Sequence, residues 1–194
     1  MLLNMNMSNR FNSISEIEAH FKTIANALPD QCKAGDPWVF LSASALIEYL
    51  AKLVVGEDNK RTGFIDFIKK WMPSGYYNFV YKNSKRDLPE QMYYVLRCGI
   101  VHAFSLIPDD QGKSYGGRER SIVLAHRREQ AGQHLKGYEG NNGTLDSVIF
   151  VAEDFIADVL TTMMSIFDSA KSDEGLKNNI TIWVQKHPPI IGGF

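Results

Sequence analysis

Apolar residues recur at steps of three and four along most of this chain, the spacing that lines up side chains on one side of an α-helix. The first stripe is Ile14, Ile17, Phe21, Ile24, Ala25 and Leu28. Ser13-Ile14-Ser15-Glu16 has capping-box spacing, so a helix is predicted to start at Ser13 and to stop at Pro29. A second helix is predicted from Pro37, a residue suited to a first helical position, with Trp38, Leu41, Ala45, Leu46, Tyr49, Leu50 and Leu53 inward and Gly56 closing it. A third, from about Thr62, buries Phe64, Ile65, Ile68, Trp71 and Met72 and breaks at Pro73-Ser74-Gly75. Tyr76 to Asn83 is aromatic and fits helix or strand alike. A fourth helix opens at Asp87 or Leu88 with Pro89 in its first turn, presents Met92, Leu96, Gly99, Ile100, Ala103 and Ile107 to the core, and ends at Pro108.

Beyond it the period is lost. Residues 112–143 are rich in Gly, Arg and Lys, and Ser121–Ala125 and His134–Tyr138 are candidates to pair as a small β-hairpin. A fifth helix of about 26 residues, about 39 Å long, is predicted from a cap at Thr144, with Leu145, Val148, Ala152, Phe155, Val159, Met163 and Ile166 as its seam. A last helix follows Asp173, carries Leu176, Ile180 and Trp183 on one side and ends at Pro188-Pro189. The pattern predicts an all-α fold: one helical domain over 1–194, a bundle core over about 37–170 centred on the second, fourth and fifth helices, and an irregular insertion over about 109–143.

Composition narrows the class. The chain has 194 residues, 44% hydrophobic and 22% charged, as an ordinary soluble domain does. Its two cysteines, Cys32 and Cys98, lie in no Cys-x-x-Cys or Cys/His cluster, which argues against a disulfide framework and a structural zinc site. No secretory leader pattern or bilayer-spanning apolar stretch is read, so the expectation is a cytoplasmic protein with no membrane contact. No phosphate-cradling Gly-rich loop or metal motif is present either, and no cofactor is expected. The net charge of −1 hides a division: −3 over residues 1–59, +7 over 60–128 and −5 over 129–194. A basic middle third can attract phosphate, or can simply face the acidic parts of its own fold.

Two ionisable residues stand inside the apolar fourth helix. Arg97 and His102 lie in Tyr93-Tyr94-Val95-Leu96-Arg97-Cys98-Gly99-Ile100-Val101-His102-Ala103-Phe104. A guanidinium stays ionised and is costly to bury without a partner. An imidazole titrates near neutrality and can act as a general base. At about 100° per residue the two point roughly 140° apart on an α-helix, so they meet only at a groove between helices or at a subunit junction. Two readings fit. In one the pair is internal: Glu48, on the second helix, forms an ion pair with Arg97, and His102 answers the carbonyls at its helix end. In the other the pair acts on an anion. Arg118, Arg120, Arg127 and Arg128 are then candidates to grip a polynucleotide backbone, and are otherwise a solvated loop.

The run Arg97-Cys98-Gly99-Ile100-Val101-His102 resembles the signature of the HEPN superfamily, an Arg and a His with four to six residues between them, towards the end of a helix in a four-helix bundle. The apolar-aromatic stretch before it and the long helix after it are similar to that family as well. The resemblance implies a HEPN-like four-helix bundle with extra helices, and metal-independent cleavage of RNA by a protein of toxin or phage-defence type. His102 would accept the proton of a ribose 2′-OH and Arg97 would meet the charge growing on the phosphate oxygens, leaving a 2′,3′-cyclic phosphate. DNA, without that hydroxyl, would be inert. The resemblance further implies a homodimer whose two motifs line one cleft, RNA or a nucleotide as ligand, and an antitoxin-like protein as candidate partner. Where the family usually has Asn or Asp directly after the Arg, this chain has Cys98, which removes a strong hydrogen-bonding group. That departure keeps a second function open, a catalytically inactive helical bundle that binds a nucleotide or a partner protein.

Overall fold

The structure, a computed structural model, describes residues 11, 13–35, 38–59, 61–81, 86–103, 122–139 and 145–189, with the backbone alone at 99–103, 139, 145 and 146. Ser13 Oγ accepts the Glu16 amide at 3.2 Å, and α1 runs Ile14–Ala25 with Ile14, Ile17, Phe21 and Ala25 buried. Pro29 does not end the helical path as the sequence suggested. The chain turns at Asn26, and α2, Ala27–Ala34, takes Pro29 into its first turn, where a missing N–H is no loss.

The next helix, α3 (Trp38–Val55), is the hub, packed against α1's neighbour α2 and against four later elements. Its buried residues are Val39, Phe40, Ala43, Ser44, Ile47, Leu50, Ala51 and Leu53, whereas Trp38 is 46% exposed and Ala45 is exposed too. The inward face is therefore rotated from the predicted one. A helix apolar on nearly every side gives periodicity no stripe to select, and its neighbours decide. Gly56 closes α3 at φ +79°, a conformation suited to glycine, with Asn179 against it. Asn179 also gives its side-chain amide to Val54 O at 2.9 Å, satisfying a carbonyl at the helix end.

Two short helices follow α4 (Arg61–Trp71): α5 (Gly75–Asn78) and α6 (Leu88–Gln91). Asp87 Oδ1 accepts the Glu90 amide at 3.0 Å, so the predicted cap is in place. From Met92 to Ala103 the helix continues in π form, with the hydrogen bond running from residue i+5 to residue i. Met92, Val95 and Leu96 are buried there.

The irregular insertion holds part of a sheet. β1 (Ile122–Ala125) leads into the single turn α7 (Arg127–Gln130), then β2 (Gly137–Glu139) and β3 (Leu145–Val151). The strand order is β1-β3-β2, with β1 parallel and β2 antiparallel to β3, so that Val148 lies between Ile122 and Gly137. Each of the two segments expected to form a hairpin contributes a strand, the second only from Gly137 because 134–136 is a turn, and the strands flank a third and do not pair with each other. That third strand was predicted as the first two turns of the fifth helix. Val148 through Val151 are an unbroken apolar run, all buried, as the central strand of a covered sheet requires. The pleat sends Ile122, Val148 and Phe150 into the main core, while Val123, Ala125, Ile149 and Val151 form a small cluster on the other face.

β3 passes directly into α8 (Ala152–Ala170), whose Phe155, Val159, Met163 and Ile166 are buried as the predicted seam. α9 (Glu174–Lys186) starts at Asp173, whose carboxylate accepts the Leu176 amide at 2.9 Å, and buries Leu176, Ile180, Trp183 and Val184. The structure is mostly helical, as expected, and the small β insertion is a mixed sheet of three described strands in place of the expected two-stranded hairpin.

Candidate functional site

Arg97 and Glu48 meet side-on. Arg97 Nε donates to Glu48 Oε2 at 2.9 Å and Nη2 donates to Oε1 at 3.1 Å, the bidentate geometry in which a guanidinium matches a carboxylate. α3 and the π-helical segment pack together, which places the two residues face to face across their seam. Lys52, one turn along α3, lies 3.2 Å from Glu48 Oε1 and 3.0 Å from Asp58. The result is a row of alternating charge: Asp58, Lys52, Glu48, Arg97. Burial pushes the Glu48 carboxyl up, but the hydrogen bonds and charges of Arg97 and Lys52 outweigh it and hold the group below its ordinary value. The bond to Glu48 raises Arg97 further above the usual guanidinium range, so it stays ionised.

The internal ion pair predicted between Glu48 and Arg97 is thus formed, but it is not shut away. The Arg97 side chain is 27% exposed and that of Glu48 24%. Arg97 Nη1 lies 4.0 Å from Cys98 Sγ, and its guanidinium sits 5.8 Å from the centre of the Tyr93 ring. Burial, then the neighbouring Cys98, pushes the Tyr93 hydroxyl up, so it remains a neutral donor beside the pair.

His102 lies on the same segment, and its backbone position changes the expected geometry. On an α-helix, positions five apart face away from each other. In a π-helix the backbone hydrogen bond joins residues five apart, so position 102 stands one turn above position 97 on the same side. Hydrophobic spacing carries no sign of this, because it reports which residues are apolar and not which carbonyl each amide selects.

The other predicted cations divide. Arg118 and Arg120 lie outside the described residues. Arg127 Nη2 donates to Asp154 Oδ1 at 2.5 Å, while its backbone N–H donates to Glu153 Oε2 at 2.8 Å. Arg128, with its side chain 69% exposed, pairs with Glu129 at 3.1 Å. Both are bound to carboxylates at the start of α8 and in α7, and no described contact joins them to the Arg97 row.

A second polar group was not foreseen. The Tyr76 hydroxyl on α5 lies 2.8 Å from His134 Nε2 and 2.9 Å from Asp158 Oδ2 on α8. Tyr76 is fully buried, and burial, then Asp158, holds its hydroxyl well above the ordinary value. The partners are 58 and 82 residues away along the chain, and no local pattern links them. There is also a cleft of about 740 Å³ between the end of α3, α4 and α9, with Phe67, Trp71 and Leu176 on its walls. Its charged lining is Asp66, Asp173 and Lys70, an acidic balance that suits a polyanion poorly.

No family model, curated protein or solved structure matches the chain.

Proposed function

We propose that this chain is a HEPN-like, metal-independent endoribonuclease of toxin or defence type, working as a homodimer, with Arg97 and His102 as its reacting groups. The observation that supports this reading is the π-helical repeat from Met92 to Ala103, which brings positions 97 and 102 to one side of one helix. Glu48 then acts as a positioning residue: its two-oxygen grip fixes the plane of a guanidinium that still meets solvent. In the reaction, neutral His102 takes the ribose 2′-OH proton as O2′ bonds to phosphorus. The bond from phosphorus to O5′ breaks, and a proton returns to the departing oxygen. Arg97 stabilises the charge that builds on the phosphate oxygens. The products are a 2′,3′-cyclic phosphate and a 5′-hydroxyl.

The test is purified protein with RNA in EDTA, the ends of the fragments being identified chemically. Cyclic-phosphate ends are expected, and His102→Ala should slow cleavage at least ~100-fold while leaving the far-ultraviolet circular dichroism unchanged. If the wild type leaves diverse RNAs intact, the proposal fails. A second reading then gains, that of a silent bundle binding a nucleotide or a partner protein. The pairing of Arg97 with Glu48 and the presence of Cys98 beside it favour that reading. It predicts calorimetric binding of a nucleotide that Arg97→Gln removes.

A further inference from the structure

The sheet and the helical core meet at a histidine with both ring nitrogens committed. His134 Nδ1 lies 3.0 Å from the backbone nitrogen of Val151. An amide N–H donates, so Nδ1 accepts, and the proton of the neutral ring is on Nε2. Nε2–H donates to the Tyr76 hydroxyl at 2.8 Å, and that hydroxyl donates to Asp158 Oδ2 at 2.9 Å. Every hydrogen in the row has one direction.

The backbone beside this ring is strained. Leu135 has φ +58°, in the left-handed region that bulky side chains avoid. Its amide donates to Ile149 O at 2.8 Å, and the Ile149 amide donates to Lys136 O at 2.9 Å. These two bonds carry the pairing of β2 with β3 towards α8. The imidazole supplies the next acceptor, for Val151, at the residue where β3 gives way to α8. The Leu135 side chain rests on the bare Cα of Gly75, where a Cβ would lie 2.8 Å from Leu135 Cδ1. A sterically unfavourable turn is thus held by two backbone bonds to β3, one histidine and one close contact.

We propose that His134 is a proton-sensitive latch: as the neutral Nε2–H tautomer it docks the 134–136 turn and β2 against β3 and α5, and protonation of Nδ1 releases them. A protonated Nδ1 would aim its N–H at the N–H of Val151, two donors at hydrogen-bond distance, and one must move away. The groups facing the ring among the described residues are Asp158 on α8, 3.5 Å from Nε2, and Tyr76 on α5. Asp154, also on α8, acts on Tyr76 at longer range. Among its described side chains, β3 brings the Phe150 ring, edge-on at 5.5 Å, and its backbone brings the Val151 amide. Asp158 attracts an imidazolium, but it does so on the Nε2 side and restores nothing at Nδ1. Release also lets Leu135 leave the left-handed region, so the strain adds to the opening. The latch is closed at higher pH and opens as pH falls.

Nitrogen-15 shifts of the His134 ring and amide-exchange protection factors, followed together against pH on the full chain, test this. The expected result is an Nε2–H tautomer, with protection at Val151 and Leu135 falling about tenfold or more as the second ring proton arrives. Protection at Ile47 in α3 should hold steady. His134→Asn, whose side-chain oxygen can accept the Val151 amide without titrating, should keep that protection flat. An Nδ1–H tautomer, a ring that stays neutral until the whole protein unfolds, or protection unchanged once the imidazolium has formed would each overturn the proposal. The wild-type titration decides even if the variant does not fold.

Discussion

The row Asp58-Lys52-Glu48-Arg97 and the row Asp158-Tyr76-His134 handle polarity in opposite ways. The first is made of full charges that alternate in sign, from Asp58 at 68% exposed to side chains between a fifth and a third exposed. The second carries a carboxylate at its outer end, Asp158 at 32%, then an imidazole 11% exposed and a fully buried hydroxyl. Where solvent reaches, charge is balanced by charge and by water, and Lys52 is shared between Glu48 and Asp58. Where solvent is shut out, each bond has one direction and no water can replace a lost partner. Removing a group should therefore hurt more in the second row, although its members carry less charge.

Tyr76→Phe should produce the largest loss. The ring volume is kept, while Oη is removed from between His134 Nε2 and Asp158 Oδ2, which are left 3.5 Å apart. Urea denaturation should show a destabilisation of about 2–3 kcal/mol. A change under about 0.5 kcal/mol would mean the interior row is as replaceable as the open one.

Glu48→Gln comes next, at about 1–2 kcal/mol, because Arg97 loses its charged partner but keeps contact with water. It has a pH signature as well. The Glu48 carboxyl is held below its ordinary 4.5 by Arg97 and Lys52, against the upward push of burial. A depressed carboxyl contributes stability above its unfolded value and loses it as pH falls through the folded value. Wild-type stability should therefore decline below about pH 4.5, and Glu48→Gln should flatten that decline. Equal acid slopes in the two proteins would show that the pair is not coupled to folding.

The Glu48–Arg97 pair of the open row was legible, though not Lys52 or Asp58, because its two members stand on elements that announce themselves. Glu48 is a lone acid among apolar residues of α3, Arg97 a fixed cation on an apolar helix, and one charge predicts the other. The caps at Ser13, Asp87 and Asp173 were legible for the same reason, a polar residue at a fixed offset from an apolar run. The π repeat was not, since apolar spacing from Met92 to Leu96 fits either hydrogen-bond register. The interior row was hidden twice. It depends on β3, whose Leu145 and Val148 continue the three-four spacing of α8 backwards and so disguise a strand as a helix. It also depends on a tertiary meeting of α5 with the 134–136 turn, which Gly75 permits by lacking a side chain. The unbroken run Val148-Ile149-Phe150-Val151 was the available signal for the strand.

Arg127 stands at the open extreme, and the smallest effect is expected there. Its side chain is 55% exposed and its guanidinium is 2.5 Å from Asp154. Arg127→Gln leaves the backbone bond from residue 127 to Glu153 in place, so the start of α7 stays anchored to α8. An exposed ion pair of this kind contributes between about 0 and 1 kcal/mol, and the change in stability should stay within about 0.5 kcal/mol. The same substitution asks whether this cation reaches a polynucleotide. A residue that neutralises a phosphate reduces the slope of log affinity against log salt by about one when it is removed. With Asp154 already occupying the guanidinium, the slope should not move. A slope reduced by about one would show that RNA displaces Asp154 and that the start of α8 belongs to the binding surface, extending it from the Arg97 row to the sheet.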